Sequence, residues 1–327
     1  MKRSNPTPII RRKPNFKSLL EEIKFLKSAR DVKYLAQKIV YLLPRLTGRV
    51  VWTDVPPAIQ IEPTLSCNAD CITCGRSKGK RPVGSMDFDL FKKIIDDAAH
   101  VGVQRVLLFV FGEPLLHPQI IEMIRYIKAQ GLAFHLTTNG ELLDGSTGEA
   151  ILRAGVTSAD YVTFSILGFS AAVHEQVMVG IHHDRVQQNV LQFVENRKKL
   201  GVNGPVIETV FYSIPENQHE LVPFLDYWGN IVDHAIYGGS ALEALIDQQQ
   251  TKKCQTRTCI TLWERMVILW NGDVSMCGMD LNGEWLVGNM RGQSIQQVWQ
   301  SEALVNIRKT HKDGRFDEIS LCKYCDG

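Results

Sequence analysis

The chain has 327 residues, 44% of them hydrophobic, and a formal net charge of +2, enough for one large core or for a main core with a small one beside it. Residues 1–49 carry 13 Lys and Arg against three acids, Glu21, Glu22 and Asp31, which leaves 24 basic and 32 acidic residues in the remainder. That balance argues against an all-over nucleic-acid-binding surface, and the lack of any run of ~18 apolar residues, of an apolar h-region or of a cleavage site argues against a membrane-spanning or secreted chain.

The basic stretch comes first. Over 16–46, Leu19, Ile23 and Leu26 share one helical face, and Val32, Leu35, Ile39 and Leu43 continue an apolar stripe as far as Pro44. This N-terminal helical extension, residues 1–55, reads in two ways: helices packed on the main domain, or a basic amphipathic segment making peripheral contact with an anionic membrane or a partner through residues 1–49. Residues 56–250 then switch repeatedly between short β-rich runs at 58–62, 105–111, 133–138, 161–167, 206–212 and 232–237 and helical runs at 87–100, 118–130, 146–154, 185–200 and 217–227. Six strands alternating with helices predict an α/β fold on a parallel sheet, open or closed into an incomplete barrel, with reactive loops at the C-terminal ends of the strands. Residues 251–327 change character. Asn271-Gly272 between the apolar runs 266–270 and 274–276 predicts a hairpin, Ser294 is placed to cap a helix running through Ile295, Val298, Trp299 and Leu304, and the chain closes on Cys322-Lys-Tyr-Cys325.

Eight cysteines grouped as CxxxCxxC and CxxC suit metal ligation in a reducing compartment, hence a cytoplasmic protein. Cys67, Cys71 and Cys74 fall in the loop after the first strand. Three thiolates can grip one cuboidal iron-sulfur cluster and leave its fourth iron open to a ligand. A zinc site would need a fourth Cys or His nearby, and neither His100 nor His117 is suitably spaced. The CxxxCxxC motif directly after the first strand of a βα array resembles the radical S-adenosylmethionine family over about residues 58–238. The resemblance implies a partial (β/α)6 TIM-like barrel, with S-adenosylmethionine chelated to the open iron and cleaved by one electron to a 5′-deoxyadenosyl radical. It also implies a flavodoxin- or ferredoxin-type electron donor. Phe111-Gly112-Glu113-Pro114 is similar to the family's GGEP motif, which meets the methionine amine, with Phe111 in place of the first glycine. Ser165 resembles the residue that contacts the ribose. Thr137-Thr138-Asn139-Gly140 matches a turn expected to be structural, and Thr73 stands where many relatives carry an aromatic near the adenine.

Cys259, Gly272, Cys277 and the Cys322/Cys325 pair follow the Twitch pattern, a shortened relative of the SPASM extension, which implies one auxiliary 4Fe–4S cluster with all four irons held by cysteine. A four-cysteine zinc site is the alternative that spacing alone permits. Cys254 is left over, either as an inert core thiol or as a hydrogen donor to a substrate radical. The cysteine layout is nearest to aminocyclitol and amino-sugar radical dehydrogenases and epimerases. The expected reaction is therefore oxidation or epimerisation at a carbinol carbon, with Glu208, Tyr212, His234 and Tyr237 as candidate pocket residues. Radical maturation of a peptide is the second reading, and a non-catalytic module with zinc at both sites the third.

Overall fold

The structure is a computed structural model that describes residues 10, 11, 52–239, 259–323 and 325. The helices expected over 16–46, and Cys254, lie outside the described residues. Among the described residues ten strands form one sheet: β1 (Ile10–Arg11), β2 (Ala58–Ile61), β3 (Arg105–Leu108), β4 (Ala133–Thr138), β5 (Tyr161–Ser165), β6 (Val206–Ser213), β7 (His234–Gly239), β8 (Arg265–Ile268), β9 (Asp273–Ser275) and β10 (Leu286–Asn289). Their order is β1-β7-β6-β5-β4-β3-β2-β8-β9-β10. Strands β2 to β7 pair in parallel, each with the next in sequence, which gives the partial TIM-like barrel expected.

The crossover helices are α1 (Phe88–Val101), α2 (Ile120–Ala129), α3 (Gly145–Leu152), α4 (Ala171–Val177), α5 (His183–Leu200) and α6 (Leu221–Trp228). In α1, Asp87 caps the N-terminus by accepting from the Asp89 and Leu90 amides, and Gly102 ends the helix at φ 87°. Leu90, Phe91, Ile94, Ile95 and Ala98 fall on one face at helical spacing and are buried against the sheet. Each large side chain among them contributes about 1.5–3 kcal/mol through burial.

Strand alternation divides the sheet into two faces. In β4 burial alternates residue by residue: Phe134 and Leu136 enter the core beneath the helices, so His135 and Thr137 face the lumen. By the same parity and the strand registers, the lumen is lined by Ala58, Gln60, Arg105, Leu107, Thr163, Glu208, His234 and Arg265.

The hairpin forms at Asn271-Gly272, with Gly272 at φ 93° and Val267 opposite Ser275. Its first arm does more than expected: β8 pairs in parallel with β2, Ala58 opposite Arg265. The C-terminal unit thus continues the barrel sheet, because pairing satisfies the edge of β2 that would otherwise stand open. Helix α1 ties the same unit down, with Lys93 donating to the Met290 and Arg291 carbonyls and Asp97 accepting from the Ile295 amide. The single helix expected after Ser294 is two, α8 (Ile295–Trp299) and α9 (Glu302–Lys312), following the four-residue α7 (Thr261–Glu264). Ser294 does cap α8, in a capping box with Gln297, but Ser301 caps a new helix at Leu304 and so breaks the run. Among the described residues no helix is long and apolar enough to cross a membrane.

Candidate active site

Strand β2 delivers the chain to Glu62, fully buried at the start of the first cysteine loop. Its carboxylate accepts from both terminal guanidinium nitrogens of Arg81, at 2.8 and 2.7 Å, and from the Trp270 amide at 3.3 Å. Pro63 to Leu65 are held by the 84–86 segment, through Leu65 N–H to Gly84 O and Met86 N–H to Pro63 O. The loop that follows is pinned from a second side, where Asp70 N–H and Ile72 N–H donate to the Val179 and Val177 carbonyls. Gly180, at φ 90°, lets that segment approach, since a Cβ there would lie 2.9 Å from Asn68 O.

Within this frame Cys67, Cys71 and Cys74 are half-buried and free of disulfides. Burial, followed by the charges of Cys74 and Cys67, pushes the Cys71 thiol up to about 12. Burial likewise raises Cys67 and Cys74, against the pull of the Ala69 and Arg76 amides. Soft donors that raise one another's proton affinity fit a cationic metal cluster, which takes the place of their protons. His117 is not part of the set: Nε2 meets Met86 O at 2.9 Å and Nδ1 accepts from the Gln119 amide, so both ring nitrogens are engaged.

Gly112-Glu113-Pro114 follows β3 and crosses this loop closely. Gly112 has φ 78°, and Glu113 N–H donates to Ser66 O at 2.8 Å. The Glu113 carboxylate is buried and accepts from Thr138 Oγ1, the Asn139 amide and the Leu115 amide. Burial holds its pKa above the ordinary carboxylate range, and those three donors offset only part of the shift. A buried carboxylate with neutral donors alone fits a cationic group, such as the amine of a methionyl cofactor. The Thr138–Gly140 turn is structural, as the sequence suggested: Asn139 Nδ2 also donates to Asn68 Oδ1, clasping the cysteine loop to β4. Ser165 ends β5 opposite Val210, half-exposed.

In the lumen one row below Ser165 runs a chain that the sequence only half disclosed. His135 Nε2 meets Thr163 Oγ1 at 2.8 Å, Thr163 donates to Glu208 Oε2 at 2.9 Å, and Glu208 Oε1 meets His234 Nδ1 at 3.1 Å. Burial alone would raise the Glu208 pKa. The His234 hydrogen bond, the His135 charge and the Thr163 hydroxyl together outweigh it and bring it below the ordinary range. Glu208 and His234 thus stand together as expected. Tyr237 does not join them, because it shares a register row with Phe211 and packs with it against the helix-side core, whereas Tyr212 keeps the lumen parity of Glu208.

The second cysteine set borders the lumen from the C-terminal unit. Cys277 follows β9, opposite Arg265; burial and then the charge of Cys259 push its thiol up to about 12, Cys325 adds to the shift, and the Met279 amide and Arg265 oppose it. Arg265 Nε is buried with no hydrogen-bond partner, a donor left over beside thiols. Cys322 is buried, 3.3 Å from His311 Nε2. Cys277 with Cys259 and Cys325 acting on its charge, and the unpaired Arg265 Nε beside it, fits a second metal cluster, for which Cys322 is the fourth cysteine of the set.

The Radical SAM superfamily model matches residues 61–227 and an iron-sulfur cluster-binding domain model, SPASM, matches residues 259–326. A tungsten-containing aldehyde ferredoxin oxidoreductase cofactor-modifying protein of Pyrococcus furiosus is 25% identical over 82% of this chain and 87% of its own. An S-adenosyl-L-methionine-dependent 2-deoxy-scyllo-inosamine dehydrogenase of Niallia circulans is 23% identical over 82% of this chain and 92% of its own. Among solved structures, Streptococcus suis SuiB bound to precursor peptide SuiA shares the fold, with a TM-score of 0.59 at 16% identity over 90% of this chain and 79% of that one. The two matched domains imply S-adenosylmethionine and two 4Fe–4S clusters as cofactors. With one family model covering half its length, the barrel built to suit it and the cysteines in place, the chain belongs to the radical S-adenosylmethionine superfamily and carries a C-terminal SPASM domain.

Proposed function

We propose that the protein is a radical dehydrogenase that oxidises a carbinol carbon of a sugar- or cyclitol-type substrate held in the barrel lumen. The cluster and S-adenosylmethionine, when bound, supply the radical that removes the carbon-bound hydrogen. On this reading Cys67, Cys71 and Cys74 hold the first cluster and leave one iron for the cofactor. Glu113 pairs with the cofactor's amine, the Gly112–Pro114 backbone shapes its seat, and Ser165 meets its ribose. Cys259, Cys277, Cys322 and Cys325 hold the auxiliary cluster. The His234 imidazole, oriented by Glu208, stands in the lumen to take the hydroxyl proton.

One observation carries the preference for oxidation: the auxiliary thiols border the lumen itself. A Cβ at Gly278, next to Cys277, would lie 3.4 Å from Gln60 Nε2, and Gln60 is a lumen residue. A substrate between the two cysteine sets therefore has an electron acceptor at one end and the cofactor seat at the other. The inosamine dehydrogenase named above gives the substrate class a precedent of similar length. Reduction of the first cluster would fall to a flavodoxin or ferredoxin, and such low-potential chemistry suits the cytoplasm.

The test is anaerobic reconstitution, reduction with dithionite and incubation with S-adenosylmethionine and 2-deoxy-scyllo-inosamine or related aminocyclitols deuterated at the carbinol carbons. Oxidation predicts deuterium in 5′-deoxyadenosine and one ketone per cofactor cleaved. An inverted alcohol in place of the ketone would convert the assignment to epimerisation. Turnover of peptides with no cyclitol consumed would overturn it in favour of peptide maturation, and colourless protein with stoichiometric zinc would end both.

A further inference from the structure

Helix α9 ends beside the last cysteine pair. Arg308, one turn before the end, is buried, donates to Leu262 O at 3.0 Å and Trp299 O at 2.8 Å, and stacks 3.8 Å from the Trp299 ring centroid. That anchor fixes His311, which is 2% exposed and meets Phe316 edge-on with ring centroids 5.1 Å apart. Its Nε2 lies 3.3 Å from Cys322 Sγ, while its Nδ1 is buried with no hydrogen-bond partner.

These contacts decide the tautomer. A metal-ligated thiolate can only accept, so the proton must sit on Nε2. The other tautomer would bury an N–H with no acceptor and turn a nitrogen lone pair toward an anionic sulfur. We propose that His311 donates Nε2–H to the Cys322 sulfur and thereby raises the one-electron reduction potential of the auxiliary cluster, given the proposal above that Cys322 is a ligand of that cluster. Reduction adds one electron and increases negative charge on the sulfurs. A fixed N–H dipole therefore stabilises the reduced form more than the oxidised one, and it does so strongly where water is excluded. The other donors differ in kind: Cys67 and Cys277 each receive a backbone amide, from Ala69 and Met279, at 3.4 Å. Cys322 receives a side chain, the kind of donor that substitution can adjust. His311 is thus a positioning residue for electron acceptance, outside the lumen and out of contact with substrate.

The test isolates the auxiliary cluster in a chain carrying Cys67→Ala, Cys71→Ala and Cys74→Ala, and titrates it potentiometrically by electron paramagnetic resonance. On that background His311→Leu is expected to lower the reduced-to-oxidised ratio at a fixed poise about tenfold, which is ~59 mV for one electron. His311→Gln, which keeps a donor of similar reach, is expected to recover most of the shift. An unchanged midpoint in His311→Leu at equal iron and sulfide content overturns the proposal. Should that variant fail to fold, the same chain with unaltered His311 and 15N-labelled histidine decides. A histidine nitrogen coupling in pulsed resonance spectra of the reduced cluster is expected, and its absence overturns the proposal. If Cys322→Ala leaves the cluster's iron and spectrum unchanged, the ligand assignment itself is wrong and the role of His311 falls with it. A shifted midpoint in Cys322→Ala with none in His311→Leu sinks the histidine role alone.

Discussion

Gly112 lies so close to Thr64 that a Cβ added to it would stand 2.2 Å from the Thr64 carbonyl oxygen and 2.8 Å from that of Ser66. The obstacles are backbone atoms, which no rotamer change can clear, and φ of 78° is itself costly for any residue with a side chain. The second glycine of the GGEP-like motif is therefore required by contact with the cysteine loop, whereas the first position tolerates Phe111, a buried core residue.

Gly112→Ala is expected to cost at least ~1–2 kcal/mol from the left-handed conformation alone, and to displace the loop that carries Cys67. Thermal denaturation of the apoprotein and iron content after reconstitution measure the two effects. A variant that keeps both its melting temperature and its iron would show that the close approach is not needed.

The ion pair of Glu62 with Arg81 joins the cysteine loop to the C-terminal unit, since Arg81 Nε also donates to Leu281 O at 2.8 Å. The Glu62 side chain is 0% exposed and that of Arg81 9%. Removing one partner strands a buried charge, so Arg81→Met is expected to cost about 3–5 kcal/mol. Glu62→Leu combined with Arg81→Met should cost distinctly less than the two single changes summed. Denaturant unfolding in a double-mutant cycle reads the coupling, and additive losses would mean the pair is solvated and contributes little.

What was legible in the sequence is what is local. Cysteine spacing, the Gly112–Pro114 motif and the Asn271-Gly272 turn each depend on a few consecutive residues, and each sits where expected. The clasp of Asn68 by Asn139 spans 71 positions and has no periodic signal. Neither has the pairing of β8 with β2, which depends on which sheet edge is open. Helix α4 escaped because its seven residues bury only His174 and Val177, too few to show a helical stripe. Tyr237 was placed on the wrong face because inward and outward positions alternate, so a one-residue error in register reverses every side chain.

Each cysteine set should account for its own iron. Replacing Cys67, Cys71 and Cys74 with alanine is expected to lower bound iron from about eight to about four per chain. Replacing Cys259 and Cys277 should give a comparable loss while sparing the first set. Iron and acid-labile sulfide assays after anaerobic reconstitution check both. Complete loss of iron from either variant would mean that one shared site, rather than two, holds the metal.

Glu208 gives the molecule an acid-sensitive lumen. Its carboxyl titrates below the ordinary 4.5 in the folded chain, so folding favours the ionised form. The resulting stability is present in full at pH above 4.5 and is lost as pH falls through that value toward the lower folded one. The groups facing it are the Thr163 hydroxyl from β5, the His234 ring from β7 and, through Thr163, the His135 ring from β4. Glu208→Gln should remove this acid limb, so that denaturant midpoints for the variant and the parent stay apart at pH above 4.5 and converge as pH falls below it through the lower folded value. At neutral pH the variant should still bind both clusters, because the carboxylate touches neither cysteine set, yet turn over substrate at a small fraction of the parental rate. Parallel stability curves across this range would show that the carboxylate is no more ionised in the folded chain than in the unfolded one, and would remove the electrostatic basis for an oriented His234.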